Sequence, residues 1–226
     1  PEYVLNPTDK TVLMDHKGRP VTVDRILATK PLKSELLTRP GPGGRQLTYL
    51  SGETVSRILN DIFGFDGWHL QIIKTEQIVC AQEEKRGSKM WVVAYTAHVR
   101  ITHRNSGTFK EDLGAGDSSD RHMPTAVQHA MKASITDAMK RAARHFGDKL
   151  GNSLYGNTNM KSAPDTLSEA LDLYDRERAK SKFGDACSNS PAVQNVIVGP
   201  KNNASPIEPK NRSTHVNQPA QNVLPP

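Results

Sequence analysis

Lys132, Thr136, Lys140 and Arg144 stand at successive four-residue steps, with Arg141 and His129 flanking the row. On a helix that spacing gathers them on one side. Lys140-Arg141-x-x-Arg144 places three cations within about one turn, roughly 5.4 Å of axis, close enough to hold consecutive phosphates of a nucleic-acid backbone. Asp137 is the only acid between Thr125 and Phe146, so the carboxylates that ordinarily pair with lysines at helical spacing are nearly missing. Such a stripe has two readings: a row of phosphate contacts, or a solvated or subunit-facing surface.

Three other groups of residues invite chemistry. Gly41 to Gly44 is rich in glycine but lacks a Gly-Lys-Ser/Thr ending and does not lead directly into a helix, which argues against a nucleotide phosphate cradle. Its flanking Arg39 and Arg45 suit a basic loop that reaches DNA. The acidic run Glu111-Asp112-Leu-Gly-Ala-Gly-Asp117-Ser-Ser-Asp120-Arg-His122 could serve a metal-dependent nuclease, since hard cations want several carboxylates; its spacing matches no calcium loop, and Gly-Ala-Gly reads as a turn with tight backbone packing. The eight histidines show no zinc-ligand spacing, and no serine or cysteine stands in a nucleophile context. Among the aromatic residues Tyr49, beside the basic loop, is the candidate for stacking on a base; Trp91 and Tyr95 fit a core face.

The elements that must position these groups read as one α+β unit. Val12 to Val23 resembles a hairpin turning at Asp15-His16-Lys17-Gly18, and a short helical stretch from Thr22 to Thr29 stops at Pro31. Arg39 to Arg45 reads as a loop, Leu47 to Leu50 as a strand, and Glu53 to Ile62 as a helix burying Val55, Ile58, Leu59 and Ile62. Three strands follow: His69 to Gln82, Lys89 to His103 across a turn at 83–88, and Thr108 to Leu113. In the second, Trp91, Val93, Tyr95, Ala97, Val99 and Ile101 share one face, and Thr96, His98, Arg100 and Thr102 the other. The apolar side of this antiparallel meander needs a cover. The helix from Thr125 to Phe146 supplies it, through a stripe of Val127, Met131, Ile135, Ala138, Ala142 and Phe146.

The expected organisation is an N-terminal extension over 1–30, a domain over 31–185 and an Asn/Pro/Ser-rich tail over 186–226. The tail has no aromatic residue and too little apolar surface to offset ordering, so it is expected to be disordered; Val196-Ile197-Val198 is its one candidate docking patch. Of 226 residues, 30 are Lys or Arg and 24 Asp or Glu, a net charge of +6 that suits an anionic partner. Cys80 and Cys187 are too few for a disulfide framework or a thiolate zinc site, which points to a reducing intracellular compartment. No apolar run approaches a membrane span and no signal-peptide pattern opens the chain.

Four collinear segments resemble one family. Arg39-Pro-Gly-Pro-Gly-Gly-Arg-Gln-Leu-Thr-Tyr49, Phe63-Gly-Phe-Asp-Gly-Trp68, Glu111-Asp-Leu-Gly-Ala-Gly116 and Ile135-Thr-Asp-Ala-Met-Lys-Arg-Ala-Ala-Arg-His-Phe-Gly147, followed by Leu150-Gly-Asn152, are similar to the N-terminal domain of the Rad fifty-two family of single-strand annealing and recombination-mediator proteins. The resemblance implies a closed ring of subunits with single-stranded DNA in an outer basic groove, bases turned outward. It implies that Lys140, Arg141 and Arg144 are groove cations, with Lys132 and Thr136 on the same helix and Arg39 and Tyr49 on the other wall. It implies that Lys89 and Arg121 form a second, outer site able to take duplex DNA. The partners it implies are a strand-exchange recombinase and a single-strand-binding protein, and the location a nucleus, with an organelle as the alternative. Two departures are Ala115, where the family carries an aromatic residue, and Met123 to His129, where it is richer in lysine.

The expectation is therefore a non-enzymatic, cofactor-free and metal-free protein, not bound to membrane, that binds single strands and anneals complements during homologous recombination and double-strand break repair. The alternatives are a mediator or paralogue that needs a partner to anneal, a nuclease using Glu111, Asp112 and Asp117, and a structural protein whose basic stripe is a subunit interface.

Overall fold

Strict alternation of apolar and polar residues governs the centre of the chain, and the sheet follows it. The computed structural model describes residues 2–85, 87–155 and 162–188. Trp68–Lys85 (β3), Ser88–His103 (β4) and Phe109–Asp120 (β5) form an antiparallel sheet in the order β3-β4-β5. Val93, Tyr95, Ala97, Val99 and Ile101 are buried on one face of β4, while the residues between them are half-buried on the other. The β3–β4 turn is tighter than 83–88, because Lys85 pairs with Ser88.

The third strand runs seven residues beyond Leu113. Gly114, Ala115 and Gly116 pair with Ala97, Thr96 and Tyr95, so Gly-Ala-Gly is strand and not turn. Its two glycines face the helix Met123–Arg144 (α3), where a Cβ on Gly114 would fall on the Ala138 backbone and one on Gly116 on the Ser134 N–H and Ala130 carbonyl. This contact decides how α3 lies. The residues buried along α3 are Ala126, Ala130, Ser134, Ala138, Met139, Ala142 and Ala143. The expected stripe is thus rotated by about one position: Val127, Met131 and Ile135 are only partly buried on its flank. Backbone against backbone requires small side chains on both surfaces, and dense packing outweighs the bulk of the larger stripe.

Around this layer sits a second group. Val23–Leu27 (α1) is capped by Thr22, and Gly52–Phe63 (α2) by the Ser51 hydroxyl, which accepts from the Thr54 N–H at 3.0 Å. The α2 face buried is Val55, Ile58, Leu59 and Ile62. The N-terminal hairpin is present as short antiparallel bridges, Leu5 with Val12 and Met14 with Pro20, with Tyr3 pairing Thr22 as a third segment. Val4, Val21, Ile26 and Leu27 belong to the same core cluster as Val99 and Ile101. Leu167–Ser188 (α4) passes through the composition change at Asp185. The remaining tail, with Val196 to Val198, lies outside the described residues. No helix among the described residues is long and apolar enough to cross a membrane.

Candidate nucleic-acid interface

Arg39 to Arg45 is not an irregular loop. Leu37–Pro40 (β1) and Gln46–Tyr49 (β2) pair as an antiparallel hairpin, with Arg39 opposite Leu47 and Leu37 opposite Tyr49. Gly43 and Gly44 take φ of +69° and +74° at the tip, a region that favours glycine, and the Gly41 N–H donates to the Arg45 carbonyl at 2.7 Å. Arg39 and Tyr49 are diagonal neighbours on one face of this hairpin. The Arg39 guanidinium carbon lies 5.5 Å from the centroid of the Tyr49 ring.

The same ring also meets α3. Lys140 Nζ is 5.8 Å from the Tyr49 centroid, within cation–π range. An open cleft follows, lined by Thr48, Tyr49, Asp137, Lys140, Arg141 and Arg144, with Leu150, Gly151 and Leu154 completing its wall. The second wall is the β1–β2 hairpin and the segment after α3, and the apolar face of the large sheet lies beneath the helix.

Four of the nine expected contact residues thus line one cleft, Tyr49, Lys140, Arg141 and Arg144, and Arg39 joins them through the Tyr49 ring. Lys132 and Thr136 lie further along α3, outside the residues that line the cleft. The Thr136 hydroxyl donates to the Lys132 carbonyl at 2.9 Å, and its methyl packs where Gly52 leaves room at the start of α2. Lys89 and Arg121 are exposed at the opposite end of the sheet, near the start of α3. From Arg121 to Lys140 is about 28 Å along the helix at 1.5 Å per residue, so these two residues cannot share the cleft.

Sequence periodicity did not reveal the acid beneath the cations. Asp112 accepts from Arg141 Nε at 3.3 Å and from His145 at 3.0 Å, and lies 3.6 Å from Arg144. The pairing acids absent from the helix are supplied by a strand. Reading 109–120 as continuous strand would have exposed this, because alternation puts Asp112, Gly114 and Gly116 on one face. The helix's own acid, Asp137, accepts from the Ala115 N–H at 3.4 Å.

The carboxylates of the nuclease alternative do not gather. Glu111 faces away from α3 and binds Arg100 and His98, Asp112 faces α3, and Asp117 stands six residues from Glu111, about 20 Å along the strand. Among the described residues no three metal-ligating side chains are grouped to hold an ion.

Residues 21–170 match the family described as Rad52/22 family double-strand break repair protein. The chain is 38% identical over 145 residues to the DNA repair and recombination protein RAD52 of Eremothecium gossypii, covering 62% of this chain and 32% of that protein. It is 37% identical over 118 residues to the protein of the same name from Saccharomyces cerevisiae, covering 52% of this chain and 24% of that one. With the DNA repair and recombination protein mus-11 of Neurospora crassa it shares 35% over 178 residues, covering 74% and 29% respectively. The matched region thus spans about a quarter to a third of the length of these relatives.

Proposed function

We propose that this chain, which belongs to the Rad52/22 family of double-strand break repair proteins, binds single-stranded DNA in the Tyr49–Lys140 cleft and anneals it to a complement during homologous recombination. The observation that carries this reading is that Tyr49, Lys140, Arg141 and Arg144 line one open cleft, with Arg39 packed over the Tyr49 ring. Cations spaced along a helix track phosphates, and an aromatic ring beside them offers a base a stacking surface regardless of its sequence. The names of the relatives, DNA repair and recombination proteins, agree with that use.

Annealing on this reading needs no covalent step, cofactor or metal. Base pairing supplies the free energy, and the protein neutralises phosphates while holding the strand extended. A ring of identical subunits would join such clefts into a continuous groove. The support for assembly is that, among the described residues, β3 and β5 each have an unpaired outer edge, and that Ile72, Ile73 and Ile78 are exposed on β3. Lys89 and Arg121 would then serve a second strand or a duplex at a separate site. A strand-exchange recombinase and a single-strand-binding protein are the partners, and the nucleus the location, that go with this role.

The test is annealing of two complementary labelled oligonucleotides by the purified chain, without ATP or metal, beside Lys140→Ala/Arg141→Ala. Rapid annealing by the wild type and none by the variant is expected. Tight binding without annealing would favour the mediator reading, and equal activity in both proteins would remove the cleft from the mechanism.

A further inference from the structure

Three basic groups at the end of α3 converge on one carboxylate. Asp112 lies on β5 opposite Val99, on the face turned toward the helix, and its side chain is only 16% exposed. Arg141 approaches it through Nε, at 3.3 Å. Arg144 and His145 approach the other carboxylate oxygen, at 3.6 and 3.0 Å. The carboxylate is itself held, because the Leu113 N–H donates to Oδ1 at 2.7 Å. Strand, acid and arginines therefore form a fixed chain from the sheet to the cleft.

Arginine carries five N–H donors in a planar fork. When Nε is taken by a carboxylate, the two terminal nitrogens remain for a two-point grip on a phosphate. A long side chain held in this way loses less freedom on gripping its ligand than one that is free. Burial pushes the Asp112 carboxyl up, but the donors His145, the Leu113 N–H and Arg141 outweigh it and hold the group below the ordinary carboxylate range. The anion is thus present at neutral pH. Asp137, the acid that lines the cleft, makes no such contact with Arg141.

We infer that Asp112 is a positioning residue for strand binding: it aims the Arg141 and Arg144 guanidinium groups into the cleft from the buried sheet. This inference rests on the cleft being the strand-binding site. It gives the Glu-Asp segment a role in binding DNA without touching it, and it makes Asp112 a support for affinity although its charge has the same sign as the ligand.

The test compares fluorescent single-strand binding across a salt series for the wild type, Asp112→Ala, Asp112→Asn and Arg141→Ala, with a melting curve for each. Asp112→Ala is expected to bind about tenfold more weakly, as loss of a charge-assisted hydrogen bond implies. Its salt dependence should flatten by about 0.7 for each phosphate that the arginines no longer hold, a change that partial unfolding would not cause. Asp112→Asn keeps an oxygen acceptor for Arg141 Nε and is expected to restore most of the affinity and the slope. Wild-type binding by Asp112→Ala beside weakened Arg141→Ala would overturn the inference and leave the cleft standing. Wild-type binding by both would remove the cleft itself. Tighter binding by either Asp112 variant would make the acid a competitor of phosphate, and the inference would be wrong. Should Asp112→Ala melt below the assay temperature, NMR of the arginine Nε–H groups in the unaltered chain decides. The Arg141 signal, assigned by its loss in Arg141→Ala, is expected to exchange slowly with solvent, and exchange as fast as that of exposed Arg39 would overturn the inference.

Discussion

Lys140 Nζ lies 5.8 Å from the centre of the Tyr49 ring, joining residues that are 91 positions apart in the chain. Arg39 also lies over this ring, 5.5 Å from its centre, so one aromatic side chain holds a cation of the hairpin and a cation of α3 within reach of one strand. Truncation should act on this arrangement. Tyr49→Ala is expected to weaken single-strand binding about fivefold, consistent with a cation–π contribution of roughly 1 kcal/mol, while Tyr49→Phe keeps the ring and most of the affinity. Titration of labelled oligonucleotides at fixed salt checks this, and equal losses in the two variants would assign the effect to the hydroxyl instead.

Lys149, next to the cleft residue Leu150, forms a buried ion pair with Glu35. Lys149 Nζ donates to both Glu35 oxygens, at 3.0 and 2.7 Å, and the Leu32 N–H donates to Glu35 as well. Burial lowers the Lys149 pKa, against the pull of Glu35. Replacing one partner leaves a buried charge uncompensated. Lys149→Met should therefore cost about 3 kcal/mol in urea unfolding, and a loss within the error of the measurement would show that water reaches Glu35.

Contact between β5 and α3 has no spare room at Gly114. Gly114→Val would force the strand away from the Ala138 backbone and should destabilise the protein by about 3 kcal/mol. Thermal melting followed by circular dichroism checks it. An unchanged melting temperature would mean that the helix lies farther from the sheet than the packing described above.

Acid should loosen the join between the N-terminal hairpin and α4. Burial pushes the Asp15 carboxyl up, but donors from Arg19, Arg25 and Lys17 outweigh it and hold it well below its ordinary 3.8. Asp175, bound by Arg19 and Arg25, and Asp172, bound by Lys17, are lowered too. A carboxyl depressed in the folded state stabilises fully above its unfolded pKa, and that stabilisation is lost as pH falls through the folded values. The expected result is a melting temperature that drops with pH below about 4, and an Asp15→Asn protein that is less stable at neutral pH with a shallower acid limb. Parallel acid limbs for the two proteins would exclude Asp15 as a contributor.

Periodicity alone determined a good part of this architecture. Residues of β4 alternate, and alternate burial followed. Val55, Ile58, Leu59 and Ile62 recur at helical spacing, and those four are the buried face of α2. The basic row of α3 and the Arg39–Tyr49 segment were also legible, because their residue types and the turn-forming Gly-Pro run are local properties.

Other features required the tertiary structure. The face of α3 that turns inward is the small one, Ala126, Ala130, Ser134 and Ala138, although Val127, Met131 and Ile135 are more apolar. That choice depends on Gly114 and Gly116 lying opposite, and no pattern within the helix records it. The same holds for Asp112, which meets Arg141 from 29 positions away. Local periodicity reports how deeply a segment is buried; which surface it meets is set by close packing between segments distant in the chain, where one Cβ decides whether two backbones can touch.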